Sequence, residues 1–170
     1  MTVTAPDAAP DVAGLDDLLS VQDGVVSRRQ ILEHGFPPGY IRRMVRRREW
    51  VIVYPGVYIH HTGPLTWQQR AWSAVLDAHP AALSHTSAIA DQPQTDDPIH
   101  IVVDRGRRVT RRSGVVVHYR SHLDETVRWN AQPPRVRLED AVLDMAADAT
   151  SKVCCATSAT AHARYSSTDT

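Results

Sequence analysis

The segment 40–48 contains five arginines, and four of them share one predicted helix face. These four are Arg42, Arg43, Arg46 and Arg47, whereas Arg48 falls off that face, in the last helical turn. The guanidinium of arginine is planar and permanently charged, and it bonds bidentately to a guanine edge or clamps phosphate oxygens. At about 100° per residue, all four arginines fall on one side of a helix. Ile41, Met44 and Val45 fall on the other side, so the segment predicts an amphipathic helix with one face for double-stranded DNA.

Residues just before that helix are further candidates for DNA contact. Arg28, Arg29 and Gln30 open the preceding predicted helix, where N-terminal groups commonly meet phosphate. Tyr40 has two interpretations of equal standing, contact with phosphate or a base, and packing at the turn. The sequence therefore predicts a DNA-binding set of eight residues: Arg28, Arg29, Gln30, Tyr40, Arg42, Arg43, Arg46 and Arg47.

A second group of candidates lies after the basic helix. It comprises Arg48, His60, Arg105, Arg107 and Arg108. Arg48 and His60 are assigned to a wing that follows the helix. The other three belong to a segment, 105–120, that holds six arginines and no acid. We interpret 106–112 as a loop or a hairpin tip, which either touches nucleic acid or an acidic partner or is simply solvated.

The formal charge of the whole chain hides these clusters. The 170 residues carry 19 basic and 19 acidic side chains and a net charge of zero, a balance unlike that of most nucleic-acid-binding domains. However, residues 1–23 contain five aspartates and no basic residue, whereas 24–48 contain seven arginines and one glutamate. Local asymmetry is the informative quantity. The zero net charge predicts modest non-specific affinity, so binding should depend on one helix face and on a homodimer at a repeated DNA site.

The elements around the basic helix follow a recognisable plan. A short amphipathic helix is predicted over 15–22, and Ser27 with Gln30 forms a capping box for a helix that ends at Gly35. Residues 36–39 are interpreted as a tight turn, and the basic helix covers 40–48. Two short strands follow, 50–54 and 57–59, separated by a Pro-Gly turn. Helix, helix, turn, basic helix and hairpin together predict a winged helix-turn-helix.

The second half of the chain alternates helices and strands. Helices are predicted over 66–79, about 85–90 and 137–148, and strands over 99–103 and 115–119, with short extended pieces at 81–84 and 135–136. The predicted class is α+β, a winged helix-turn-helix followed by a small α/β domain. The predicted divisions are a disordered leader (1–13), the DNA-binding domain (14–62), the α/β domain (63–149) and a disordered tail (150–170). Out-of-frame translation is a hypothesis for that tail.

Enzymatic chemistry has little support in the sequence. His85, His100, His118 and His122 could meet in space, but a surface or core role is favoured for them. No zinc-protease, nucleophile-elbow or nucleotide-binding motif is present, so we expect no enzyme, no metal and no cofactor. The two cysteines are adjacent, which excludes a disulfide scaffold. With neither a signal peptide nor a membrane span, we expect a cytoplasmic protein.

The ordered set of motifs resembles the AbiEi family of type IV antitoxins. The matching pieces are 23–30 (DGVVSRRQ), 41–47 (IRRMVRR), 55–58 (PGVY), 83–88 (LSHTSA), 99–103 (IHIVV), 114–118 (GVVVH) and 139–146 (EDAVLDMA). The resemblance covers roughly 15–148. It implies a winged helix that binds promoter repeats and represses its own operon. It also implies that the α/β domain helps to neutralise a nucleotidyltransferase toxin.

The chain leaves the family pattern after about Asp148. Longer actinobacterial relatives often carry a very-short-patch-repair-like endonuclease domain there, so no nuclease activity is expected. Residues 48–50 also differ from the usual Arg-Gly-Trp-like junction at the wing. Two alternatives stay open: a truncated endonuclease-family protein that retains only its DNA-targeting region, and a winged helix that docks a protein. A nucleotidyltransferase gene or an endonuclease-like reading frame next to this gene separates the antitoxin from the truncated nuclease.

Overall fold

The computed structural model describes residues 9–90 and 96–150. Within them no helix is long and apolar enough to cross a membrane. In chain order the elements are α1 (Val12–Val21), β1 (Val25–Ser27), α2 (Arg28–Glu33), α3 (Pro38–Arg46), β2 (Val51–Tyr54), β3 (Val57–Ile59), α4 (Trp67–Asp77), β4 (Ala82–Leu83), α5 (His85–Ile89), β5 (Ile99–Asp104), β6 (Val115–Arg120), α6 (Leu123–Thr126), β7 (Val127–Arg128), β8 (Arg135–Val136) and α7 (138–150). The predicted α+β class is confirmed. Residues 1–8 of the predicted leader and 151–170 of the predicted tail lie outside the described residues. Both predicted disordered segments are too long at their described ends, because Val12 already belongs to α1 and Thr150 still belongs to α7.

The first three strands form an antiparallel sheet in the order β1-β3-β2, here called the small sheet. Its β2–β3 hairpin turns at Pro55 and Gly56, as predicted, and Gly56 adopts a φ of 86° that glycine accepts readily. Strand β1 was not predicted. Its three residues are all buried and pair with β3, Val25 opposite Ile59 and Ser27 opposite Val57.

The starts of helices α2 and α3 are set by a capping box and by a proline, respectively. The Ser27 hydroxyl caps α2 by accepting a hydrogen bond from the backbone N–H of Gln30. In turn, the Gln30 carboxamide oxygen accepts from the backbone N–H of Ser27. The predicted capping box is therefore confirmed. The interpretation of 36–39 as a turn outside the helix is wrong in its second half. Helix α3 starts at Pro38, because proline fits the first helical turn, where its missing N–H has no partner to lose.

The basic helix is also shorter at its end than predicted. Arg47 is its C-cap, and Arg48 adopts a left-handed φ of 59° outside the helix. The placement of Arg48 in the last helical turn is therefore wrong. Trp50 follows two residues later and is buried in the core of the segment from α1 to β3, here called the small domain.

The remaining strands form a five-stranded large sheet in the order β6-β5-β4-β8-β7. Strands β5 and β6 are parallel, with Ile99 opposite Val115 and Asp104 opposite Arg120. A hairpin tip at 106–112 is therefore excluded, and the alternative interpretation as a loop is confirmed. The connection 105–114, here called the basic loop, must return along the length of the sheet, because parallel strands start at the same end.

Helix α4 packs against both sheets. Ala71, Ala74 and Val75 lie in the core that covers the large sheet. Trp72 and Leu76, on another face of the same helix, pack against the strands of the small sheet. Spacings of three or four residues from the first member of each set place its members on a common helix face. The helix thus fixes the large sheet relative to the small one.

Candidate nucleic-acid interface

Helix α3 divides its residues as the sequence predicts. Ile41 is 3% exposed and packs with Leu15, Val26 and Phe36 in the core of the small domain, and Met44 and Val45 pack against that cluster. The four arginines predicted for the opposite face are all exposed: Arg42, Arg43, Arg46 and Arg47. We call these four side chains the basic helix face. Because the apolar side is anchored in the core, the helix cannot rotate to hide the charges.

The members of the basic helix face differ in how far they are held by neighbours. The Arg43 guanidinium lies over the Tyr40 ring, 5.2 Å from its centroid. Arg47 pairs with Glu49 at 3.6 Å, with both side chains largely exposed. Arg42 and Arg46 have no side-chain partner among the residues that the structure describes. They are spaced four residues apart, so they project side by side from the helix.

Tyr40 packs at the turn, which is one of its two predicted roles. Its ring lies 4.5 Å from that of Phe36 and meets Trp50 edge-on at 5.6 Å. Burial raises the pKa of the Tyr40 hydroxyl, although the positive charge of Arg43 opposes this shift. The ring therefore supports the start of α3 and offers Arg43 a stacking surface.

The three candidates at the start of α2 have different surroundings. Arg28 is exposed, and its backbone N–H donates to the carbonyl of Gly56 at 2.7 Å, which brings the start of α2 to the tip of the hairpin. Arg29 is exposed and pairs with Glu33 at 2.8 Å. Gln30 is half-buried, and its carboxamide oxygen lies 2.9 Å from both the backbone nitrogen and the hydroxyl of Ser27. Its cap role occupies that oxygen.

The two wing candidates lie away from the hairpin tip. Arg48 precedes β2 and is exposed. His60 follows β3, also exposed, and its Nδ1 lies 3.3 Å from the carbonyl oxygen of Gly24. Both residues are therefore at the end of the hairpin opposite the Pro55-Gly56 turn. Arg48 lies at the end of α3, and His60 lies beside the connection between α1 and β1.

In the basic loop, two arginines are bound within the fold. The Arg107 guanidinium donates to the carbonyls of His79 and Pro80, each at 2.8 Å, and to that of Ala78, so it caps the C-terminal end of α4. Arg112 makes two bonds to the Asp77 carboxylate, at 2.8 and 3.0 Å. The candidates Arg105 and Arg108 are exposed.

The two basic segments approach each other near the end of α4. Burial lowers the pKa of His79, and the positive charges of Arg29 and Arg107 lower it further. Arg112 also stacks over the ring of Tyr54 in β2, 5.0 Å from its centroid. The start of α2, the hairpin and the basic loop therefore lie side by side on one part of the surface.

Sequence reasoning missed the contacts that hold this surface together. Asp77 and Tyr54 belong to no sequence motif. Arg112 could not be distinguished from the five other arginines of 105–120. The only signal was that Asp77 occupies the last turn of a predicted helix, where a nearby cation is favourable.

Comparison with known proteins adds no assignment. No protein-family model matches the chain, and no curated protein sequence is significantly similar to it.

Proposed function

We propose that the segment from α1 to β3 is a winged helix-turn-helix that binds double-stranded DNA with α3 in the major groove. The element order helix, strand, helix, helix, strand, strand supports this, as does the sheet order β1-β3-β2. The observation that carries the proposal is the basic helix face, four exposed arginines on a helix whose other side is locked in the core. Such a helix suits groove entry, because long forked donors project from it.

The positions of the arginines support different roles for them in DNA binding. Arg42 and Arg46 are separated by about 6 Å along the helix axis, close to two base-pair steps of about 3.4 Å each. We assign base-edge contacts to these two side chains. Arg28 and Arg29, beside the hairpin tip, are assigned to phosphates, which position the helix without reading sequence. Arg43 stacks on Tyr40 and Arg47 pairs with Glu49. These two arginines flank Arg42 and Arg46.

Repression of its own operon is the regulatory role that we propose for DNA binding. It rests on the resemblance to AbiEi antitoxins together with the basic helix face. With a net charge of zero, one basic helix face gives modest affinity for a single site. Two copies on a repeated promoter sequence would supply the missing affinity.

A protein partner for the second half of the chain is the second candidate function. Helix α7 exposes Leu138, Val142 and Leu143 at 61%, 50% and 66%. Apolar side chains exposed together on one helix favour contact with another protein. We propose a nucleotidyltransferase toxin as that partner, and a co-purification experiment with the neighbouring gene product tests it.

A mobility-shift assay tests DNA binding by the full chain. The probe is the DNA upstream of the gene, and the variant is R42A/R43A/R46A/R47A, with R128A/R137A as a control that removes two exposed arginines outside the predicted DNA-binding set. We expect the fourfold variant to lose the shift and the control to keep most of it. Circular dichroism spectra of both variants check the fold. Equal shifts for the wild type and the folded fourfold variant would refute the assignment of α3.

A further inference from the structure

Three histidines from separate elements meet beside the large sheet. His100 lies in β5, His118 in β6, and His85 is the first residue of α5. The parallel register places His118 opposite Val102, two positions along from His100, so both imidazoles project from the same face of the sheet. His122, the fourth histidine of the sequence-based group, is not part of this cluster.

The imidazoles are close enough to share one ligand. His100 Nδ1 lies 3.0 Å from His118 Nε2. The His85 and His118 rings stack with their centroids 3.6 Å apart. One ring nitrogen of each residue lies within 4.8 Å of the other two. A tetrahedral zinc ion with bonds of about 2.0–2.1 Å separates its ligand nitrogens by about 3.3 Å. The 3.0 Å between the His100 and His118 nitrogens is close to that spacing, and the stacked rings must turn to point their in-plane lone pairs at one ion.

Neighbouring groups hold the cluster in place. His85 is buried, adopts a left-handed φ of 49°, and contacts the Ser84 hydroxyl through Nδ1 at 3.2 Å. The Asp148 carboxylate in α7 lies 3.3 Å from His85 Nε2. The Ser87 hydroxyl accepts from the backbone N–H of His100 at 2.9 Å. A carboxylate behind a histidine is the usual support of a metal-binding imidazole, because it fixes the tautomer and the ring orientation.

We propose that His85, His100 and His118 form a binding site for one divalent transition-metal ion, with zinc as the reference ion. Imidazole nitrogen suits zinc, cobalt, nickel and copper better than it suits magnesium or calcium. Asp148 is the positioning partner of His85 rather than a fourth member, since its carboxylate is outside the group of mutually close ligand atoms. A cavity of about 160 Å³ adjoins His85, His118, Asp144 and Asp148 and leaves room for a water ligand.

The charges around the cluster are compatible with a bound cation. Arg120 borders the same cavity, but its guanidinium is paired with Asp140 and Asp144 of α7. A metal ion binds the neutral form of an imidazole, so metal affinity at this cluster should fall as the pH is lowered.

Metal titration of the untagged full chain tests this site. The protein is first treated with a chelator and then titrated with zinc by calorimetry and with Co²⁺ by visible absorption. We expect one ion per chain in each titration. H100Q and H118Q should abolish this binding, and D148N should weaken it about 10–100-fold, as loss of a supporting carboxylate does.

Two control variants distinguish this site from other metal-binding groups of the chain. H122N removes an exposed histidine outside the cluster, and C154S/C155S removes the two thiols. Both should bind like the wild type. Absence of binding, or binding that is lost only in C154S/C155S, would overturn the proposal. If H100Q and H118Q fail to fold, the Co²⁺ spectrum of the wild type decides: d–d bands without thiolate charge transfer support three imidazoles, and absence of these bands refutes them.

Discussion

Replacing Arg112 with alanine should lower the free energy of unfolding by about 2–3 kcal/mol. The Arg112 side chain is 23% exposed and the Asp77 side chain 10%, so the variant leaves a nearly buried carboxylate without its two bonds. A hydrogen bond to a charged group contributes roughly 1.5–3 kcal/mol. The stacking of Arg112 over Tyr54 adds about 0.5–1 kcal/mol. Because the Arg112 side chain is partly exposed, the expected loss of stability lies in the lower part of the combined range of these two contributions.

Urea unfolding with a double-mutant cycle measures this effect. The cycle compares wild type, R112A, D77A and R112A/D77A, and the coupling between the two sites should be at least about 1 kcal/mol. R111A is the matched control, since Arg111 is the exposed neighbour in the same loop. Its effect should stay within about 0.5 kcal/mol. If R112A were no more destabilising than R111A, the proposed link between α4, the basic loop and the hairpin would be wrong.

Two local substitutions should also change stability. S27A removes the capping hydroxyl of α2 and should cost about 1 kcal/mol, whereas S20A on the exposed side of α1 should be nearly neutral in the same urea assay. R107A removes the side chain that binds the carbonyls after α4 and should cost about 1–2 kcal/mol. R108A is its exposed control, and equal effects of R107A and R108A would contradict the cap role.

Local features of this fold could be predicted from the sequence. The capping box of Ser27 and Gln30 and the apolar side of α3 depend on residues three or four positions apart. Such patterns can be read directly from sequence, because helix geometry determines which neighbours meet. The same applies to the Pro55-Gly56 turn, which needs a residue that tolerates a positive φ.

Features that depend on distant contacts could not be predicted. Arg112 and Asp77 are 35 positions apart, and Arg107 contacts Ala78 across 29 positions. Charge clustering alone cannot distinguish these bound arginines from exposed Arg105 and Arg108. The parallel pairing of β5 and β6 was missed for the same reason. It is this pairing that brings His100 and His118 onto one face of the sheet.

The salt dependence of DNA binding tests the basic helix face most directly. Affinity for the upstream DNA is measured by fluorescence anisotropy across a series of salt concentrations for wild type, R42A/R46A and the control R128A/R137A, whose two arginines are exposed and outside the predicted DNA-binding set. Each lost phosphate contact reduces the slope of log K against log salt by about 0.9, and each lost base contact costs about 1–3 kcal/mol without changing the slope. We expect R42A/R46A to lose at least about 100-fold in affinity, while R128A/R137A stays near wild type. Equal affinities and slopes for all three proteins would contradict the proposal that α3 binds DNA.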